Sequence, residues 1–209
     1  SEMLEGKILI EDYAHVIKAI ADAELLDENQ NKFTLIGHSM GGYITLAFAE
    51  KYAGLLNTFG LFHSTAYADD AAKKETRKKG IEFIKNNGVS LFLETTTANL
   101  FSEKTKKQKP ELVKKLIELS KNNSAKTLIQ YYEVMMQRPD RTLVLKKFLQ
   151  PILFIIGKDD HAVPLQASLE QCHLPFISYI KILQNSGHEG MWEEEYTVTN
   201  FLLNFLKQR

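Results

Sequence analysis

Phe33-Thr34-Leu35-Ile36-Gly37-His38-Ser39-Met40-Gly41-Gly42 is the stretch that decides the fold. A short β-favouring run, Phe33 to Ile36, passes through a glycine-flanked corner into the helical stretch Tyr43 to Tyr52. Gly-X-Ser-X-Gly in that setting forms a nucleophile elbow, with the serine at the tip of a sharp strand-to-helix turn. Ser39 is therefore the candidate nucleophile. A serine held in a strained conformation leaves no room for side chains two residues before and after it, so the corner is expected to need glycine at both 37 and 41. The helix beyond presents partial positive charge at its N-terminus, and the Met40 amide is expected to point where an oxyanion develops. A five-residue pattern also arises by chance as a tight turn before a buried helix, so the rest of the chain must supply support.

Upstream, Tyr13, Val16, Ile17 and Ile20 fall on one helical face behind acidic residues, which predicts an amphipathic helix, and Asp27 to Lys32 reads as a polar turn. Downstream, Tyr43 to Ala49 is apolar nearly all round, as a helix buried against a sheet is, and Asn57 to Phe62 reads as the next strand. Strand, helix, strand at this spacing is a βαβ unit, so the sheet should be largely parallel. From about Asp69 to Lys147 the periodicity turns helical throughout. Pro110 suits a helix first turn, Ser124 an N-cap, and Arg138-Pro139 a helix end. This segment reads as a helical insertion, residues 66–147, in a core made of residues 1–65 and 148–209. Pro151 to Ile156 is a continuous apolar run, as expected of a parallel strand covered on both faces, and Ile177 to Leu183 is a further strand. The last helix carries Val198, Phe201, Leu202, Phe205 and Leu206 on one stripe.

The balance of 26 basic and 26 acidic residues conceals an uneven distribution: Ala66 to Gln150 holds 18 Lys and Arg against 10 Asp and Glu. Lys73, Lys74, Arg77, Lys78 and Lys79 read as a solvated helix face, and no nucleic-acid-binding pattern of basic and aromatic residues stands out. No apolar stretch approaches the ~18 residues of a membrane span. The single Cys172 rules out an intramolecular disulfide and reads as a packed helix residue. The expectation is a soluble, cytoplasmic protein with a small-molecule substrate, no nucleic-acid or membrane partner, and an oligomeric state that the sequence leaves open.

A serine hydroxyl becomes a good nucleophile only when a histidine takes its proton, and that imidazole needs a carboxylate to fix its tautomer and stabilise its charged form. Ser39 follows one predicted strand, the pair Asp159-Asp160 another, and His188 a third. In an open parallel sheet the loops beyond the strand C-termini converge on one edge, so these residues can meet.

Three motifs, GHSMGG at 37–42, GKDDHAVP at 157–164 and SGHEGMWEE at 186–194, resemble those of the α/β-hydrolase superfamily, in the order found there. The resemblance implies a mostly parallel α/β sheet with an inserted helical cap. It selects Asp160, three residues after Gly157, over Asp159 as the acid. The segment from Ser64 to Arg141 resembles the caps of the esterase, enol-lactonase and carbon-carbon hydrolase branches. The implied activity is cleavage of a small ester, thioester or lactone by Ser39, His188 and Asp160 through an acyl-enzyme, with Met40 N–H at the oxyanion. Carbon-carbon cleavage by the same triad, and a non-catalytic binding module on the same scaffold, are the alternatives. Among the other histidines, His38 is expected to be buried in the elbow as a structural residue, and His161, His15 and His173 have no role assigned. His63 ends a strand beside the elbow, where it either lines the substrate pocket or simply packs. His38, His63, His161 and Asp159 make no spaced ligand set, so neither a metal nor a cofactor is expected. The family fold normally begins with further strands and a His-Gly loop, which are not found here. The expectation is therefore a natural chain longer at its N-terminus.

Overall fold

The computed structural model describes residues 6–24 and 31–207. The expected polar turn at 27–32 thus lies largely outside the described residues. In chain order the elements are α1 (Ile10–Ala23), β1 (Phe33–His38), α2 (Met40–Tyr52), β2 (Leu56–Phe62), α3 (Ala71–Thr96), α4 (Glu103–Gln108), α5 (Pro110–Ser120), α6 (Ala125–Gln137), α7 (Thr142–Lys147), β3 (Ile152–Gly157), α8 (Leu165–Gln171), β4 (Ser178–Leu183), α9 (Gly190–Glu193) and α10 (Glu195–Lys207).

The four strands form one wholly parallel sheet in the order β1-β2-β3-β4. Its two faces explain the sequence pattern. Successive side chains of a strand point to opposite faces, and Ile152, Phe154 and Ile156 of β3 enter a core with α1, α2 and α7, while Leu153 and Ile155 enter a second core with Val198 and Phe205 of α10. A strand buried on both sides has no polar face to alternate with, which is why β3 reads as a continuous apolar run. Helix α2 crosses the centre of the larger core, with Leu46, Ala47, Phe48 and Ala49 all buried.

The segment between β2 and β3 is helical, as its periodicity predicts. Pro110 opens α5, the Ser124 hydroxyl accepts from Thr127 N–H as the N-cap of α6, and α6 stops at Gln137, just before Arg138-Pro139. Ile84, Phe92 and Leu93 pack with Ile117, Leu128 and Tyr132 as a small core of this segment's own.

Two surface expectations are corrected. On α1 the buried residues are Ile10, Ala14 and Ala21, while Val16 and Ile20 are exposed. Tyr13 and Ile17 do pack against the core as the periodicity predicts, and the buried Ala14 and Ala21 lie on that side, so the contact stripe is rotated away from Val16 and Ile20 alone. In the basic cluster, Lys74, Lys78 and Lys79 are solvated, but Lys73 and Arg77 are half-buried. Arg77 turns inward because buried Asp69 accepts from its Nε at 2.6 Å. The other oxygen of Asp69 lies 2.9 Å from Arg138 Nη1, and the Arg138 guanidinium sits 3.8 Å from the centre of the Tyr43 ring.

Candidate active site

The corner after β1 is as sharp as the motif requires. Ser39 has φ 52 and ψ −119, a left-handed conformation for a residue with a side chain. It occupies the N-cap position of α2 without making a side-chain capping bond. Its Oγ is instead 2.8 Å from His188 Nε2. The backbone is tied down by Ser39 N–H donating to Phe62 O at 2.9 Å and by Ser64 Oγ–H donating to Ser39 O at 2.8 Å. Met40 is the first residue of α2, so its N–H has no intrahelical acceptor.

The glycine expectation needs a correction. A Cβ on Gly37 would stand 2.2 Å from Gly41 O and 2.5 Å from Gly42 N, and one on Gly42 would stand 2.3 Å from Ser64 Oγ. A Cβ on Gly41 would meet nothing within 4 Å among the described residues. The tight positions are therefore 37 and 42, because the strand end folds back over the first helical turn while position 41 faces outward from it.

Asp160 and His188 come from the loops after β3 and β4 and reach the same sheet edge as Ser39. His188 Nδ1 lies 2.8 Å from Asp160 Oδ2, and Asp160 Oδ1 accepts from Ala162 N–H at 2.8 Å and Val163 N–H at 2.9 Å. Burial works against this carboxylate, but the hydrogen bonds from His188 and His63, the charge of His188 and the Val163 amide outweigh it and hold its pKa below the ordinary value. Asp159, the other acid of the pair, gives its backbone N–H to Ser186 O at 3.0 Å.

His63 does not stand on a pocket wall. Its side chain is wholly buried behind the acid, with Nδ1 3.1 Å from Asp160 Oδ2. His38 is half-buried, and its Nε2–H donates to His188 O at 2.8 Å, so it steadies the backbone of the histidine loop. Burial, and then the neighbouring charge of His188, push the pKa of His38 down to about 4. His63, Asp160 and His188 also bring one donor atom each within 4.8 Å of one another. This set differs from the one weighed in the sequence. A metal here would have to displace both imidazole Nδ1 hydrogen bonds to Asp160.

Sequence reasoning missed the struts of the histidine loop. Glu193 accepts from Gly187 N–H at 2.7 Å with one oxygen and from Ser102 N–H at 2.9 Å with the other, and His188 N–H donates to Leu100 O at 2.6 Å. The inserted helical segment is thereby bolted to the loop that carries His188. Glu194 similarly holds Asn185 N–H at 2.7 Å and Ser186 Oγ at 3.0 Å. Buried Gln171 fixes the strand of chain after β2, accepting from Ala66 N–H at 2.9 Å and donating to Ser64 O at 2.8 Å. A buried acid and a buried amide at the ends of short helices, Glu193 and Gln171, were the available signal, but their partners are backbone groups that carry no sequence mark. Glu189, next to His188, is 8% exposed, and burial pushes its pKa up to about 7.

The chain belongs to the α/β-hydrolase family of hydrolytic enzymes: the sequence profile described as alpha/beta hydrolase fold matches residues 10–195. No curated protein sequence matches it. Among solved structures it is similar to a thermophilic esterase from Thermogutta terrifontis, with a TM-score of 0.89 and 24% identity over 99% of this chain and 75% of that one. It is also similar to an esterase from Exiguobacterium antarcticum, with a TM-score of 0.84 and 20% identity over 97% and 75% of the two chains. The enol-lactonase from Burkholderia xenovorans gives a TM-score of 0.87 and 16% identity over 99% and 76%. At these identities the likeness is one of fold. Among the described residues no helix is long and apolar enough to cross a membrane.

Proposed function

We propose that the chain is a serine hydrolase that cleaves a small ester, thioester or lactone through an acyl-enzyme. The observation that carries this reading is the unbroken relay of 2.8 Å contacts from Ser39 Oγ to His188 Nε2 and from His188 Nδ1 to Asp160 Oδ2. Ser39 attacks the carbonyl carbon while His188 takes its proton at Nε2. Asp160, kept ionised by its donors, orients the imidazole and stabilises the imidazolium. The Met40 N–H, free at the start of α2, stabilises the oxyanion, a role whose loss costs ~10²–10³ in rate for a single donor. His188 then protonates the leaving oxygen or sulfur, and a water activated by the same imidazole releases the acid.

Residues 66–147 serve in this reading as a cap whose packing selects the substrate. Its attachment to the loop of His188 through Leu100 and Ser102 supports that role. The fold neighbours that are an esterase and an enol-lactonase agree with an acyl substrate.

The test is labelling with a fluorophosphonate probe, with the adduct located by mass spectrometry beside a Ser39→Ala control, followed by turnover of short p-nitrophenyl esters. An adduct on Ser39 together with ester turnover is expected. An adduct with turnover only of a ring-fission dienone would replace ester cleavage by carbon-carbon cleavage. Saturable binding of either substrate without adduct or turnover would make the chain a binding module.

A further inference from the structure

His63 is a wholly buried histidine in a left-handed conformation, φ 49, one of two positive-φ non-glycine residues among those described. That conformation is unfavourable for a residue with a side chain, so its ring must gain something where it lies. The ring stacks on Phe62 with centroids 4.8 Å apart and is flanked by two glycines. A Cβ on Gly190 would stand 2.5 Å from His63 Nε2, and one on Gly157 2.8 Å from its Cε1. The absent side chains let two backbone N–H groups reach the imidazole: Gly190 N–H donates to Nε2 at 3.2 Å, and Gly157 N–H points at Nδ1, also at 3.2 Å.

These contacts decide the tautomer. Nε2 must keep its lone pair to accept from Gly190, which leaves the proton on Nδ1, 3.1 Å from Asp160 Oδ2. The opposite tautomer would satisfy Gly157 alone while setting a lone pair against a carboxylate and one N–H against another. The charge-assisted bond to Asp160 outweighs the neutral one from Gly157. An imidazolium would also set Nε2–H against Gly190 N–H, and burial lowers the pKa of His63 further, so the ring stays neutral.

Building on the hydrolase reading, we propose that His63 is a positioning residue for the acid: its neutral ring donates Nδ1–H to the same Asp160 oxygen that His188 engages. The second donor fixes the carboxylate plane and takes up part of its charge, which moderates the field that Asp160 Oδ2 sets on the His188 ring. The charged and titratable groups around this pair are Asp160 and His188 themselves, His38 from the end of β1 with its ring 5.8 Å from that of His63, Glu193 from α9, and Glu189 beside His188.

The test compares His63→Asn with His63→Gly. Both residues accept a positive φ, but only the asparagine amide places a donor near Nδ1. In the glycine variant kcat should fall roughly 10- to 100-fold, the range expected for a hydrogen bond to a charged group. KM should change little, and the limb of kcat/KM that reports His188 should move to higher pH. His63→Asn should restore most of kcat and return the limb to its wild-type position. An unmoved limb in the glycine variant, or an asparagine variant as slow as the glycine one, overturns the proposal. If the glycine variant does not fold, the tautomer of His63 in the wild type decides it. Nitrogen NMR of histidine-labelled wild-type protein reads the tautomer without turnover. A protonated Nδ1 on His63 in a protein that does not hydrolyse esters refutes the hydrolase reading alone, and a protonated Nε2 in an active enzyme refutes this inference alone.

Discussion

Replacing Gly37 and Gly41 by alanine, one at a time, separates a sequence pattern from a packing requirement. The pattern treats the two glycines alike. In the structure a Cβ on Gly37 meets the backbone of Gly41 at 2.2 Å, whereas a Cβ on Gly41 meets nothing within 4 Å among the described residues. Ordinary contacts begin at 3.4 Å, so Gly37→Ala must push the strand end and the first turn of α2 apart by roughly 1 Å, against backbone that cannot rotate aside. Overpacking of this kind costs about 1–3 kcal/mol, equivalent to a melting-point loss of ~2–12 °C for a domain of this size. The displacement acts directly on Ser39, whose Oγ lies 2.8 Å from His188 Nε2. A misplacement of ~1 Å can reduce the rate ~10²-fold. Gly41→Ala adds a methyl to open space in a helix, where alanine is favoured over glycine by up to ~1 kcal/mol. Calorimetry and kcat/KM on a p-nitrophenyl ester measure both effects. The reasoning fails if Gly37→Ala matches wild type, or if Gly41→Ala loses as much stability and activity as Gly37→Ala.

Glu189 gives a signed pH dependence. Its folded pKa, about 7, lies above the ordinary 4.5, so the folded chain binds more protons than the unfolded chain between these values and its contribution to stability falls as pH rises through that window. Urea unfolding should therefore show Glu189→Gln gaining on wild type by roughly 2–3 kcal/mol between pH 5 and pH 8, and a constant difference would refute the assignment. Glu193→Ala strands the N–H groups of Gly187 and Ser102, which it now holds at 2.7 and 2.9 Å. At about 1–3 kcal/mol for each buried unsatisfied group, a clear fall in the denaturation midpoint is expected. A fall in kcat should accompany it, because the loop of His188 is released.

The strand-turn-helix corner, the four strands, the parallel pairing and the helical insertion could all be read from the sequence, because each rests on local chemistry. Periodicity reports which face is covered, Pro110 and Ser124 mark helix starts, and an unbroken run such as Ile152 to Ile156 reports a strand buried on both sides. Ser39 and His188 were equally legible, since the loops that carry them follow strands of one parallel sheet, while the choice of Asp160 over Asp159 rests on the family resemblance. What the sequence could not give is which partner each buried polar group finds. The sequence sets His38 inside the elbow and His63 at a strand end, but it does not show that His63 turns to the carboxylate of Asp160 and His38 to the carbonyl of His188. Gly37 and Gly41 looked alike within one motif, yet only Gly37 is crowded. Local sequence determines periodicity, caps and turns because they depend on neighbours in the chain. The tautomer of His63, the grip of Glu193 and the crowding at Gly37 depend on groups brought together through space, and only the tertiary structure decides them.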